Sequence, residues 1–111
     1  MFTDAGNYYQ ALIMQIAYAM PEQEEVSPRS CFSEQEIECM EHQMEQLEGR
    51  TEKLKNPYTP KDLKRYIWVI ARLGGWKGYS SERKPGITTF SIGLQKLTAI
   101  MQGWLLFRFV S

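Results

Sequence analysis

The chain has 111 residues and a mass of 13.0 kDa, 43% hydrophobic and 23% charged, which suits one domain with a core but little apolar area to spare. Thirteen Lys and Arg balance thirteen Asp and Glu, and no tract is polar or repetitive enough for extended disorder. The longest purely apolar run near the C-terminus, residues 104–107, falls far short of the roughly 20 residues that a membrane helix needs.

Thr3 and Asp4 can cap a first helix expected to run to about Met20, where Pro21 ends it. Tyr9, Leu12, Ile13, Ile16, Ala17 and Met20 recur at the spacing of one buried face. Tyr8, Ala11, Met14 and Tyr18 make the other side apolar as well, and a helix apolar nearly all round is either central or packs on a second partner. Both readings stay open here. No basic leader or cleavage site precedes this helix, so the expected compartment is the cytosol.

Residues 22–32, flanked or broken by Pro21 and Pro28, read as a loop. Ser33-Glu34-Gln35-Glu36 then has the spacing of a capping box, which starts a second helix that Gly49 terminates. Ile37, Met40, Met44 and Leu47 form a narrow apolar stripe, and glutamates fill much of the remainder, so this helix lies on the surface of the core. Its methionines read as core filler. Cys31, Cys39 and His42 form a C-x7-C-x2-H set without a fourth ligand. The expectation is a reduced cysteine pair, a solvated imidazole and no metal.

Thr59-Pro60-Lys61-Asp62 offers an N-cap, a proline at the first helical position and an acid at the third, predicting a third helix from Pro60 to Leu73. Leu63, Tyr66, Ile67, Ile70 and Leu73 face inward, and Trp68 and Val69 widen the apolar arc. Lys61, Lys64, Arg65 and Arg72 are expected to project elsewhere. Gly74 and Gly75 stop the helix and let the chain reverse.

A fourth helix should begin near Thr88 or Thr89 and continue to about Phe107. At about 100° per residue, Phe90, Leu94, Leu97, Ile100, Met101, Trp104 and Leu105 share one broad face for burial. A second apolar stripe lies roughly opposite: Ile92, Ala99, Gly103, Leu106 and Val110, with Lys96 and Phe107 at its margin. Small residues at Ala99 and Gly103 allow two helix backbones to approach, and a self-complementary helix pair is the simplest partner. The alternative is burial of this stripe by the chain's own tail or by the first helix. The expected fold is therefore all-α, a compact domain of about four helices with a long C-terminal helix.

The balanced charge hides an asymmetry. Residues 21–52 hold ten Glu against Arg29 and Arg50, while residues 61–111 hold nine Lys or Arg against Asp62 and Glu82. The second half is the one to test for phosphate contacts, and the plainer reading is that the two halves face each other or the solvent.

The motifs Ile70-Ala71-Arg72-Leu73-Gly74-Gly75-Trp76, Pro85-Gly86 and Gly93-Leu94-Gln95-Lys96-Leu97 with Gly103-Trp104 resemble a family signature. It is that of the C-terminal dimerisation domain of bacterial cut-and-paste DDE transposases of the insertion-sequence-four, transposon-five type. The resemblance is specific over residues 58–105, fainter over residues 5–47, and covers no part of that family's catalytic core. It implies a domain that joins two transposase subunits, through interface positions around Gly103 and Phe107. It also implies that the loop from Trp76 to Gly86, with Lys77, Ser80, Ser81, Arg83 and Lys84, reaches toward transposon-end DNA. Such donors suit phosphate contacts that position DNA without reading its sequence.

The family's chemistry does not transfer. Its core holds divalent metals on three carboxylates, whereas here Asp4, Asp62 and Glu82 are the only acids outside the glutamate-rich segment. The family's Y-x2-R-x3-E-x6-K motif also has no match around Lys64-Arg65-Tyr66-Ile67-Trp68. The expectation is a non-enzymatic module without cofactor or small-molecule substrate, whose partner is a second copy or an intact transposase subunit, with weak DNA contact and no membrane. As a truncated product it would inhibit the intact enzyme through mixed dimers. The competing reading is an autonomous small helical DNA-binding protein that uses the third and fourth helices as a loose helix-turn-helix. The apolar third helix and the long turn before the fourth weigh against it.

Overall fold

Four α-helices carry the architecture in a computed structural model that describes residues 4–20, 26–49, 55–78 and 83–110. They are α1 (Asp4–Tyr18), α2 (Glu34–Glu48), α3 (Leu63–Leu73) and α4 (Ile87–Val110), with a 3-10 turn at Pro28–Ser30. There is no strand among the described residues. The all-α reading with a long last helix holds.

The shortest helix is the central one. In α3, Leu63, Tyr66, Ile67, Trp68, Val69, Ile70 and Ala71 are all buried, because α4, α2 and α1 all pack against it. Phe90, Leu94 and Leu97 of α4 complete the core with Met40 and Met44 of α2, Ala11 and Met14 of α1 and Phe32. Two glycines set how closely α3 and α4 cross. A Cβ built on Gly93 would lie 2.0 Å from the carbonyl oxygen of Ile70, and one on Gly74 would lie 2.0 Å from that of Thr89. Neither position has room for a side chain.

The helix ends follow local chemistry. The Ser33 hydroxyl accepts from the Glu36 amide at 3.2 Å while Glu36 Oε1 accepts from the Ser33 amide at 2.8 Å, the reciprocal capping box read from the sequence. At the end of α3 the Trp76 amide donates to the Ala71 carbonyl and the Gly75 amide to that of Arg72, the paired bonds of a Schellman turn. Its left-handed residue is Gly75, with φ of 102°. The two adjacent glycines thus have separate causes: Gly75 for its backbone angle, Gly74 for its contact with α4.

Three expectations need correcting. The third helix begins at Leu63, three residues after Pro60: Asp62 is its N-cap, its side chain accepting from the Lys64 amide at 3.0 Å. Thr59 to Asp62 form a preceding turn, and the first helical amide, on Leu63, donates to the Val26 carbonyl at 2.8 Å. That tertiary bond satisfies one of the amides a helix start leaves open. On α1 the buried side is Ala11 and Met14, with Tyr18 partly buried, whereas Tyr9, Ile13 and Ile16 of the expected inner face are exposed. Finally, Lys64 is buried and Arg65 and Arg72 are committed to internal bonds, so three of the four cations on or near α3 do not simply project away.

Candidate functional site

The outward side of α4 is the first candidate surface. Packing of Phe90, Leu94 and Leu97 into the core turns the opposite face of the same helix to solvent. Ile92, Lys96, Ala99, Gly103, Leu106 and Phe107 are all exposed, and the two largest, Leu106 and Phe107, are 66% and 74% accessible. Val110 lies in the last turn of the helix, outside the described side chains. A Cβ at Gly103 would meet no atom within 4 Å. The described tail and α1 therefore leave this stripe uncovered, and it presents a methyl- and aromatic-rich ridge with one cation at its edge.

The second candidate is the loop between α3 and α4. Its two ends are tied to the helical core. The Trp76 indole donates to the Arg83 carbonyl at 2.9 Å and packs edge-on against Tyr18, centroids 6.2 Å apart. Arg72 Nη1 donates to the Lys77 carbonyl. These bonds hold the backbones of Lys77 and Arg83 at one end of the molecule, with the side chains of Lys77, Arg83 and Lys84 exposed. Ser80 and Ser81 lie outside the described residues.

Three of the cations of the second half, Lys64, Arg65 and Arg72, are used internally. Arg65 forms a bidentate pair with Glu41 of α2, Nε to Oε1 at 2.8 Å and Nη2 to Oε2 at 3.1 Å, and its third nitrogen donates to the Tyr58 carbonyl at 2.8 Å. The Tyr66 hydroxyl adds a bond to the same carboxylate at 2.9 Å. Arg65, and with it Tyr66, holds the Glu41 carboxyl below the usual carboxylate range. Burial, with the neighbouring carboxylate, pushes the Tyr66 phenol up to about 12. Lys64 Nζ donates to the Met20 carbonyl just past α1, and Arg72 Nη2 to the Leu47 carbonyl near the end of α2, where a cation complements the helix dipole. Arg72 also lies over Trp68, 5.5 Å from the ring centroid.

These ties were not legible in the sequence. The nearest signal was the presence of Arg72 inside the Ile70 to Trp76 motif. They give that motif an architectural meaning, since one arginine joins the ends of α2 and α3 to the loop.

No group of three His, Cys, Asp or Glu able to hold a metal occurs among the described residues. Cys39 is buried, which raises its thiol pKa, while Cys31 and His42 are exposed. An open groove of about 620 Å³ between the 3-10 turn and α2 is lined by charges of both signs, including the Arg29–Glu34 pair at 3.1 Å. Nothing in it converges on a reacting centre. A helix-turn-helix also fits poorly, because α3 is buried along most of its length and has no free face for a DNA groove. No helix among the described residues is long and apolar enough to cross a membrane.

A further uncovered apolar face lies on α1, made of Tyr8, Tyr9, Ile13 and Ile16, the last three of which the residue spacing had placed on the buried side. Its neighbours in sequence are equally apolar, so periodicity alone could not choose which side goes inward. Comparison with family models, with curated proteins and with solved structures gives no match.

Proposed function

We propose that this chain is a non-catalytic dimerisation module of the DDE-transposase type. It joins two copies of itself, or one copy and an intact transposase subunit, during assembly of the DNA synaptic complex. The observation that carries the reading is the exposed apolar stripe on α4, from Ile92 through Ala99 and Gly103 to Leu106 and Phe107, on a helix whose other face is already buried. Apolar side chains gathered along one exposed helix face mark an interaction site more often than singly scattered ones do. The signature residues Gly74, Gly75, Gly93 and Arg72 each have a packing task, which favours an architectural role over a catalytic one. The loop carrying Lys77, Arg83 and Lys84 supplies auxiliary phosphate contacts. The setting is the cytoplasm of a bacterial cell, and a free-standing copy would inhibit transposition by forming mixed dimers.

Sedimentation of the wild type and of Gly103→Glu tests the reading. The wild type is expected to dimerise with rising concentration. The variant should stay monomeric with unchanged helicity by circular dichroism, because a Cβ at this exposed position meets no atom within 4 Å in the monomer. Dimerisation that survives Gly103→Glu would refute the assignment of this stripe.

A further inference from the structure

One guanidinium ties the described ends of the α3–α4 loop to the rest of the fold. Arg72 sits in the last turn of α3, half-buried over the Trp68 ring, 5.5 Å from its centroid. Its terminal nitrogens serve different segments. Nη2 donates to the carbonyl of Leu47, in the last turn of α2, and Nη1 to that of Lys77, in the loop. The Trp76 indole beside Lys77 then donates to the Arg83 carbonyl at 2.9 Å, so a tie made at Lys77 carries to the far end of the loop. We propose that Arg72 is a positioning residue: it clasps the loop to the end of α2 and fixes where the side chains of Lys77, Arg83 and Lys84 stand, without itself meeting their ligand.

The chemistry is particular to arginine. A planar fork serves carbonyls in different directions at once, whereas a lysine ammonium is a point charge on a flexible stem. The Leu47 carbonyl lies among those at the end of α2 that have no partner within the helix, and the helix dipole favours a cation there. Both acceptors are main-chain oxygens. The clasp therefore fixes the backbone at Lys77 and leaves the side chain of that residue exposed.

The loop is shaped to receive it. Gly78 has φ of 81°, and a Cβ there would lie 3.2 Å from Arg72 Cδ and 3.3 Å from Nη1. A side chain at this position would be strained by the backbone angle and would press on a guanidinium already held at both ends. Gly78 thus lets the main chain lie directly on Arg72, a second contact besides the hydrogen bond from Nη1.

Limited trypsin digestion of the full chain tests this, comparing the wild type with Arg72→Met, Arg72→Lys and Gly78→Ala. Cleavage after Lys77 and Arg83 is read as a ratio to cleavage after Arg29, an exposed site in the 3-10 turn. The ratio should rise at least about ten-fold in each variant with helicity by circular dichroism unchanged, because a segment is cut as often as it opens and hydrogen bonds to a charged group hold this one shut. Arg72→Lys keeps the charge but not the fork, so it should behave like Arg72→Met. An unchanged ratio in the Arg72 variants, including a rise shared with Arg29, would leave Arg72 a merely structural role and overturn the proposal. Should they lose their helices, Gly78→Ala, which keeps the guanidinium, decides by the same ratio. For DNA, and resting on the reading of this loop as a phosphate contact, both Arg72 variants should weaken binding of a labelled duplex at least about two-fold, since fewer molecules present the loop in its binding geometry. The slope of log K against log salt should stay as it is. A slope shallower by about one in Arg72→Met, restored in Arg72→Lys and with the cleavage ratio unchanged, would make Arg72 a phosphate ligand and overturn the proposal. A wild type that binds no duplex would refute the phosphate role of the loop, and the cleavage ratio would then decide Arg72 by itself.

Discussion

A methyl group added at Gly93 would sit 2.0 Å from the Ile70 carbonyl oxygen, while one added at Gly103, on the same helix, would touch nothing. The two Gly→Ala changes should therefore differ in sign. Gly93→Ala forces backbone against backbone and is expected to cost about 1–3 kcal/mol or more. Gly103→Ala should stabilise the monomer by about 0.5–1 kcal/mol, because alanine loses less entropy in a helix. Urea denaturation at low protein concentration would measure both, and equal effects would contradict the α3–α4 crossing. The sequence reading gave the close-approach role to Gly103 for a partner helix. It did not recognise Gly93, since spacing cannot tell which glycine faces a neighbouring carbonyl. The Glu41 cluster carries a second prediction. Arg65 and Tyr66 lower the folded-state pKa of Glu41, so its contribution to stability is present above the unfolded value. That contribution is lost as pH falls through the folded value. Wild-type stability should drop more steeply than that of Glu41→Gln between about pH 5 and pH 3. Parallel pH profiles would remove the cluster from the stability argument. Tyr66 acts at the other end: its bond is retained below its unfolded value and lost as pH rises through about 12.

At the scale of elements, the ends that use local chemistry were legible and those that use distant partners were not. The α2 capping box needs only residues 33–36, and the Gly-Gly stop of α3 only the two glycines and the preceding turn. The start of α3 was misread because Thr59 and Asp62 are both good caps. What distinguishes them is the bond from the Leu63 amide to Val26, far away in sequence. The inner face of α1 was misread for a related reason: a helix apolar on both sides leaves the choice to its neighbours. The cap makes a simple test. Ser33→Ala should cost about 1 kcal/mol by thermal or urea unfolding, within the range of about 0.5–2 for lost N-caps. No loss would mean that Glu36 and solvent satisfy the first turn of α2 without the hydroxyl.

For the whole molecule, the arrangement of charge decides what the loop can do. Nine cations in residues 61–111 suggest a basic half, yet Lys64, Arg65 and Arg72 are bonded internally to carbonyls or to Glu41. This was not legible in the sequence, because a charge count does not separate a solvated lysine from one that caps a helix. The loop itself carries Lys77, Arg83 and Lys84, whose side chains are exposed. Neutralising about three phosphates gives a slope of roughly −3 in log K against log salt, and roughly twice that for a dimer engaging DNA with both loops. DNA association should therefore be weak, insensitive to sequence and largely abolished by moderate salt. Fluorescence anisotropy of a labelled duplex against the wild type and the Lys77→Ala/Arg83→Ala/Lys84→Ala variant would measure it, with Gly103→Glu as a third sample. The triple variant should lose binding while keeping its dimer. Gly103→Glu should keep the loops but bind with about half the slope, since a monomer presents only one of them. Binding that is unchanged in the triple variant would move the DNA contact elsewhere. An unchanged slope in Gly103→Glu would uncouple DNA binding from dimerisation, leaving the α4 stripe to act in protein assembly alone.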